Sequence, residues 1–233
     1  MTALFLTPTP DLNSGSVLWD IGNVDDYSIR TAYETFGRPQ KAPLWAETWK
    51  EGELVKPVEV AHDRIRGNIF LADFGLAFKH GTPVRHKWQS PAVFCGPERF
   101  HGFNPSFAGD MWSYTCLLME LYLGMQPFYG RAVCSTLGNL VDNMGPLPSE
   151  WAEKYEGPGK ADERWYDQSR RPHKNLTLEA IARRARPEVA DAEMRTALSV
   201  FNKGLAYLPE KRPSAAELLQ DPDFNALMKI HQC

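Results

Sequence analysis

The stretch between Ser106 and Gly124 constrains this chain more than any other part of it. Read at helical spacing, Met111, Trp112, Cys116, Leu117, Met119 and Tyr122 leave no wholly polar face, and Glu120 is a lone charge near the end. A helix that is apolar all round belongs at the centre of a domain rather than on its surface. Gly124 supplies a C-terminal stop. The run from Trp112 to Leu123 is too short for a bilayer span and contains Glu120, so it reads as the core of a globular fold.

The rest of the composition fits that reading. With 43% hydrophobic and 24% charged residues, the 233-residue chain can bury a sizeable core. A net charge of −3 provides no basic field, which argues against nucleic-acid binding through bulk charge. The opening Met1-Thr-Ala-Leu-Phe-Leu lacks the basic lead-in of a secretory signal, so neither secretion nor a membrane is expected. Cys95, Cys116, Cys134 and Cys233 are far apart, with no paired or zinc-type spacing, and fit a reducing intracellular compartment, cytoplasmic or nuclear. Cys116 falls inside the apolar helix, where a buried thiol is expected.

Two β-like runs occur near the start, Ser16-Val-Leu-Trp-Asp-Ile21 and Asn68-Ile-Phe-Leu-Ala72. Between them, residues 37–60 form a Pro-, Trp- and Lys-rich excursion. The remainder reads as helical. Met194, Leu198, Phe201 and Leu205 predict a helix from about Asp191 to Tyr207. Ser214-Ala-Ala-Glu217, preceded by Pro213, is a capping box that opens the last helical region. Residues 145–190 interleave acids with Arg170, Arg171, Lys174, Arg183, Arg184 and Arg186, which reads as a solvated surface insert.

The chemistry-bearing segment is Leu71-Ala-Asp73-Phe74-Gly75. A carboxylate on a glycine turn directly after a strand is suited to hold Mg²⁺ against nucleotide phosphates. The tripeptide alone is weak, because many strands end in Asp-x-Gly. Its value rises because three more motifs come after it in a fixed order: Gly96-Pro97-Glu98, then Asp110-Met-Trp112, then Lys211-Arg212-Pro213.

This ordered set resembles the C-terminal lobe of eukaryotic protein kinases. By that resemblance Asp73 is the metal-binding aspartate, with Phe74 and Gly75 completing its motif. Gly96-Pro97-Glu98 is the family's Ala-Pro-Glu with Gly for Ala. Asp110 and Trp112 open the central helix, and Arg212 is the arginine that pairs with Glu98. Thr82 and Ser90 lie in the activation segment that runs from Asp73 to Glu98 and are candidate phosphosites, although a solvated hydroxyl is at least as good an account of each. Met144-Gly-Pro-Leu-Pro-Ser-Glu-Trp151 is similar to the insert of the cyclin-dependent and splicing-factor kinase group. The excursion from Phe36 to Pro57 is similar to fungal serine/arginine-rich-protein-kinase-like sequences.

Two segments compete for the catalytic loop. His62-Asp63-Arg-Ile-Arg-Gly-Asn68 has Asp and Asn at the family's separation, but Asn68 is too close to Asp73 for a strand hairpin to intervene. Asp11-Leu-Asn-Ser-Gly-Ser16-Val-Leu18 fits better, with a strand directly after it and an insert filling the gap to Asp73. This assignment makes Asp11 the catalytic base, Ser16 a second metal ligand in place of Asn, and Leu18 the floor of the adenine pocket. It also exposes departures. Thr9 and Pro10 stand where the family has His and Arg, and Asn13 stands where it has a lysine. No glycine-rich loop and no strand lysine precede Asp11 in these residues.

The expected architecture is therefore mainly helical with short β-hairpin strands. It is the C-terminal lobe of the two-lobed α+β protein-kinase-like fold without its N-terminal lobe, over residues 1–233, with inserts at about 22–66 and 138–190. The resemblance implies a Ser/Thr protein kinase using ATP and Mg²⁺ on protein substrates, Arg/Ser-rich ones by the narrower likeness. A positioned base contributes about 10²–10⁴ in rate, yet phosphoryl transfer depends almost wholly on positioning and charge. A chain lacking the lysine clamp and lid is then expected to be inactive alone. The alternative is a pseudokinase that acts as a protein-binding module.

Overall fold

The computed structural model describes residues 12–42, 55–77, 91–130 and 132–232. The chain divides into two compact units, one of Val17–Ala72 and one of Met1–Ser16 with Asp73–Cys233. Asp11, Thr82 and Ser90 lie outside the described residues.

The smaller unit is built on a two-stranded antiparallel sheet. Strand β1 (Val17–Trp19) pairs with β2 (Ile69–Leu71), with Val17 opposite Leu71 and Trp19 opposite Ile69. Asp20 clasps the open end of this ladder. Its backbone N–H donates to Asn68 O at 3.0 Å, its carbonyl accepts from Arg66 N at 2.7 Å, and its carboxylate accepts from Asn68 Nδ2 at 3.0 Å. The Asn68 hydrogen bond, followed by that of the Gly22 N–H, holds the Asp20 carboxyl below its usual pKa. The excursion between the strands carries helix α1 (Ile29–Phe36), started by Ser28, whose Oγ accepts from Thr31 N. The sequence reading missed α1. Farther along, Lys41 and Val55 form an isolated antiparallel bridge.

The larger unit is helical and centred on α2 (Phe107–Leu123). Ser106 caps it through Gly109 N, and it ends at Gly124, which is left-handed at φ 68°, as the sequence required. Nine of its residues are buried, and Trp112 and Met119 are fully enclosed, in accord with an apolar helix at the domain centre. Full burial of such side chains contributes about 1.5–3 kcal/mol each. Around it lie α3 (Val133–Met144), α4 (Leu178–Ala185), α5 (Asp191–Gly204), α6 (Ala215–Gln220) and α7 (Pro222–Ile230). Helix α5 packs on both α2 and α7. A Cβ on Gly204 would lie 2.0 Å from Thr115 Oγ1, so this close approach of α5 to α2 admits only glycine.

Helix α6 begins with the predicted box. Ser214 Oγ accepts from Glu217 N at 3.3 Å, and Glu217 Oε2 accepts from Ser214 N at 2.8 Å. The segment 145–190 is more than a solvated insert. Arg171, Lys174, Arg183 and Arg184 are exposed as expected. However, Leu147, Trp151, Trp165, Tyr166, Leu178 and Ile181 are buried and bind the segment to the helical body. Counting charges missed this because the apolar anchors are widely spaced, with helical spacing only within α4.

Candidate functional site

The segment leading into α2 is held by a buried ion pair. Glu98 lies in a single 3-10 turn, Pro97–His101, and Arg212 comes directly after another, Pro209–Lys211. Arg212 Nη1 donates to Glu98 Oε1 at 2.8 Å and Nη2 to Oε2 at 2.7 Å, with side chains 0% and 1% exposed. The other N–H groups of the guanidinium are also used. Nε donates to Ala206 O, Nη1 to Ala108 O and Nη2 to Tyr207 O, at 2.8, 2.8 and 2.9 Å. A buried pair is stable only when its remaining donors and lone pairs are satisfied, and here all five guanidinium donors are. The guanidinium also sits 4.9 Å from the centroid of the Trp112 ring, which stacks on Phe128 and Tyr207.

Gly96 makes room for this arrangement. A Cβ there would lie 2.5 Å from Glu98 Oε1 and 2.8 Å from Cδ, because the glutamate folds back over the residue two before it. The replacement of Ala by Gly in the Gly-Pro-Glu motif thus has a steric reason in this chain. Ser113 adds a second tie, its Oγ donating to Phe94 O at 2.7 Å and to Gly109 O at 3.2 Å.

His101 closes the same turn, and nothing in the sequence singled it out. It is 1% exposed, with Nδ1 2.6 Å from Pro97 O and Nε2 2.7 Å from Tyr166 OH. A carbonyl only accepts, so Nδ1 carries the proton and Nε2 accepts from the tyrosine. The ring lies 5.0 Å from Trp151 and 5.7 Å from Tyr155, centroid to centroid. Burial lowers its pKa, against smaller opposing effects of the Pro97 carbonyl and Glu98. Burial acts oppositely on the tyrosine hydroxyl and pushes Tyr166 up to about 12.

The residues expected on the nucleotide side occupy varied settings. Asp73 and Phe74 are exposed just past β2, and Asp73 has φ 60°, a left-handed backbone rare for a residue with a Cβ. Ser16 is buried, 3% exposed, at the end of the short 3-10 turn Ser14–Ser16, with its N–H donating to Asn13 O. Asn13 Oδ1 accepts from Gly15 N at 2.8 Å, so the residue expected at the family's lysine position shapes the turn. Leu18 is half-exposed on β1. Asp110 sits in the first turn of α2, where a carboxylate favours the helix N-terminus. His62–Arg64 is an isolated 3-10 turn, and Asn68, the partner its motif would require, is engaged with Asp20. Among the described residues no cluster of three or more His, Cys, Asp or Glu could hold a metal, and no helix is long and apolar enough to cross a membrane.

Comparison with known proteins decides the family. The protein kinase domain profile matches residues 29–224. The chain belongs to the protein kinase domain family. Among its relatives, mitogen-activated protein kinase 15 of Arabidopsis thaliana is 31% identical over 168 residues, covering 67% of this chain and 27% of the relative. Mitogen-activated protein kinase 18 of the same plant is 29% identical over 172 residues, covering 70% of this chain and 26% of the relative. A probable cyclin-dependent kinase 10 of Dictyostelium discoideum is 28% identical over 167 residues, 68% of this chain and 41% of the relative. The chain spans about a quarter of the plant relatives it matches. The mostly helical body and small two-stranded sheet are consistent with a kinase-like fold.

Proposed function

We propose that these residues are the C-terminal lobe of a Ser/Thr protein kinase of the splicing-factor-kinase type, and that the chain alone transfers no phosphate. The observation that carries this reading is the β1–β2 pairing across the long excursion. It supports Asp11–Ser16 as the catalytic loop entering the first strand and 22–66 as an insert within the hairpin. Asp73 on a left-handed turn directly after β2 supports the metal-binding role. Backbone strain of about 1–3 kcal/mol at such a residue is characteristic of functional turns.

Mg²⁺ is a hard cation that binds through few carboxylates and the phosphates of its nucleotide. By the family resemblance, Asp73 would supply it a carboxylate and Ser16 a hydroxyl. When bound, Mg·ATP supplies the γ-phosphoryl group, and the protein's part is to position it and neutralise charge. That part is deficient here, because Asn13 is committed to its own turn and no glycine-rich loop or strand lysine occurs within the 233 residues. The same observation favours a second reading, a pseudokinase that binds a protein partner. Under either reading the chain acts inside the cell on or with proteins, Arg/Ser-rich ones for the splicing-type kinase, without direct nucleic-acid or membrane contact.

The test is transfer of labelled phosphate from Mg·ATP to an Arg/Ser-rich peptide, with a thermal shift measured in parallel. No transfer is expected, and detectable transfer lost in Asp11→Asn would overturn the inactive reading. A ligand that binds only the folded state must raise its apparent stability. A shift abolished by Asp73→Asn supports retained nucleotide binding, and no shift favours the binding module.

A further inference from the structure

A cavity of about 520 Å³ lies between the end of α3, the start of α4 and the last turns of α5. Met144, Pro172, Leu178, Leu198 and Leu205 give it an apolar wall, and ligand-binding clefts span about 300–1,000 Å³. Asn202, exposed on α5, also lines it. So does Asn143, which is 2% exposed. Asn143 Nδ2 donates to Asn139 Oδ1 at 3.2 Å, while its own Oδ1 has no partner. A buried acceptor without a donor is costly.

Loop 170–177 runs along the same cavity, since Pro172 and Thr177 both line it. His173 N seats the loop by donating to Asp142 O at 2.7 Å, and Arg184 Nη2 of α4 donates to Asn175 O at 2.6 Å. The loop carries no carboxylate, and α3 and α4 carry one each. Both are taken, Asp142 by Arg170 and Glu179 by Arg183. Beyond α4, Glu188 pairs with Arg186 and Asp191 with Arg183. Arg171, Lys174 and Arg184 are exposed, and no carboxylate among the described residues pairs with any of them. An apolar cavity is thus flanked by uncompensated positive charge.

We propose that this cavity and loop 170–177 form a docking site for an acidic peptide segment of a partner protein. A bulky apolar side chain of the peptide enters the cavity, and its Asp or Glu side chains face Arg171, Lys174 and Arg184. An apolar centre with a charged rim is the common anatomy of such interfaces, and the rim charges set which partner is accepted. Cations spread over a loop and a helix match several carboxylates along a chain better than they match one lipid headgroup. The unpaired Asn143 acceptor likewise favours an occupant with N–H groups, which a peptide backbone has and an acyl chain lacks. An Arg/Ser-rich segment would meet like charge here, so this site is separate from the substrate recognition proposed above. Nothing in this inference depends on nucleotide binding.

The full chain would be panned with a phage-displayed random peptide library, and the enriched peptides measured by fluorescence polarisation. Enrichment of Asp or Glu beside Leu, Phe or Trp is expected. The double variant Arg171→Glu, Lys174→Glu should weaken such a peptide about tenfold, as exposed ion pairs are lost and reversed. Added salt should shrink that difference, because exposed charges are screened. Asn202→Trp sets a ring at the cavity from an exposed position and should weaken binding without changing its salt dependence. These substitutions are at exposed positions, so the variants should fold; should one not fold, the other decides. Enriched peptides that are basic or uncharged, or an affinity that neither variant changes, would overturn the proposal. Oleate binding that Asn202→Trp abolishes, with no peptide enriched, would assign the cavity to lipid and overturn it as well. Phosphate transfer is not measured in any of these, so the kinase reading stands or falls separately.

Discussion

Glu98 and Arg212 are far apart in the chain yet meet in a two-pronged ion pair at 2.7 and 2.8 Å, sealed from water. The pair joins the turn that precedes α2 to the turn that precedes α6. Three backbone carbonyls, those of Ala108, Ala206 and Tyr207, complete the guanidinium's bonding.

Removing one member strands the other as a buried charge, which costs about 3–5 kcal/mol. Arg212→Met is expected to lower stability by that amount in urea unfolding. Adding Glu98→Gln should recover part of the loss, since no carboxylate is then left unpaired. A double variant no more stable than the single would show that the pair is uncoupled.

Gly96→Ala places a methyl group where the Glu98 carboxylate now lies. Overpacking of this kind costs about 1–3 kcal/mol. The loss should shrink markedly in a Glu98→Ala background, where the obstructing carboxylate is gone. Equal losses in both backgrounds would assign the effect to backbone conformation instead.

His101 predicts a pH dependence. Its folded pKa lies below the ordinary value of 6.5, because burial disfavours the imidazolium. The unfolded chain therefore binds the proton first as pH falls. The neutral ring's contribution is fully present above about pH 6.5. It is lost progressively below that, towards the lower folded pKa. Urea midpoints measured between pH 7 and 5 should fall with pH, and His101→Asn should flatten that part of the slope.

The small sheet leaves Leu18, Trp19, Ile69, Phe70 and Leu71 between 45% and 60% exposed. Exposed apolar side chains of this kind favour association. Light scattering of the purified chain is expected to show self-association that weakens in the Trp19→Ser, Phe70→Ser variant. A monodisperse monomer at high concentration would count against it.

Ser214→Ala removes the hydroxyl that accepts from Glu217 N. Loss of such a cap costs about 0.5–2 kcal/mol. The shift in thermal midpoint should be matched by only part of that loss in Glu217→Ala, which leaves the hydroxyl in place.

Much of the fold was legible residue by residue. Ser106 and Gly124 bracket α2, Ser214 and Glu217 open α6, and both strands fall inside the two β-like runs, because caps and alternation act within a few residues. Helix α3 was not legible, since it starts at Ala132 without a side-chain cap. The buried aromatic anchors of 145–190 were hidden among charges. His101 and Arg99 carried no signal, because a histidine or arginine is ordinarily exposed and only enclosure by other segments makes it otherwise.

By itself, the sequence determined the central helix, its ends, the order of the kinase motifs and the Glu98–Arg212 pairing that the family resemblance implies. Such features arise from local periodicity and residue type. Only the tertiary structure decided that Arg212 has every donor used and Arg99 has two left over, that Gly96 must lack a side chain, and that His101 is held neutral. Those outcomes depend on what distant segments bring within 3 Å, and desolvation then sets their energetic weight.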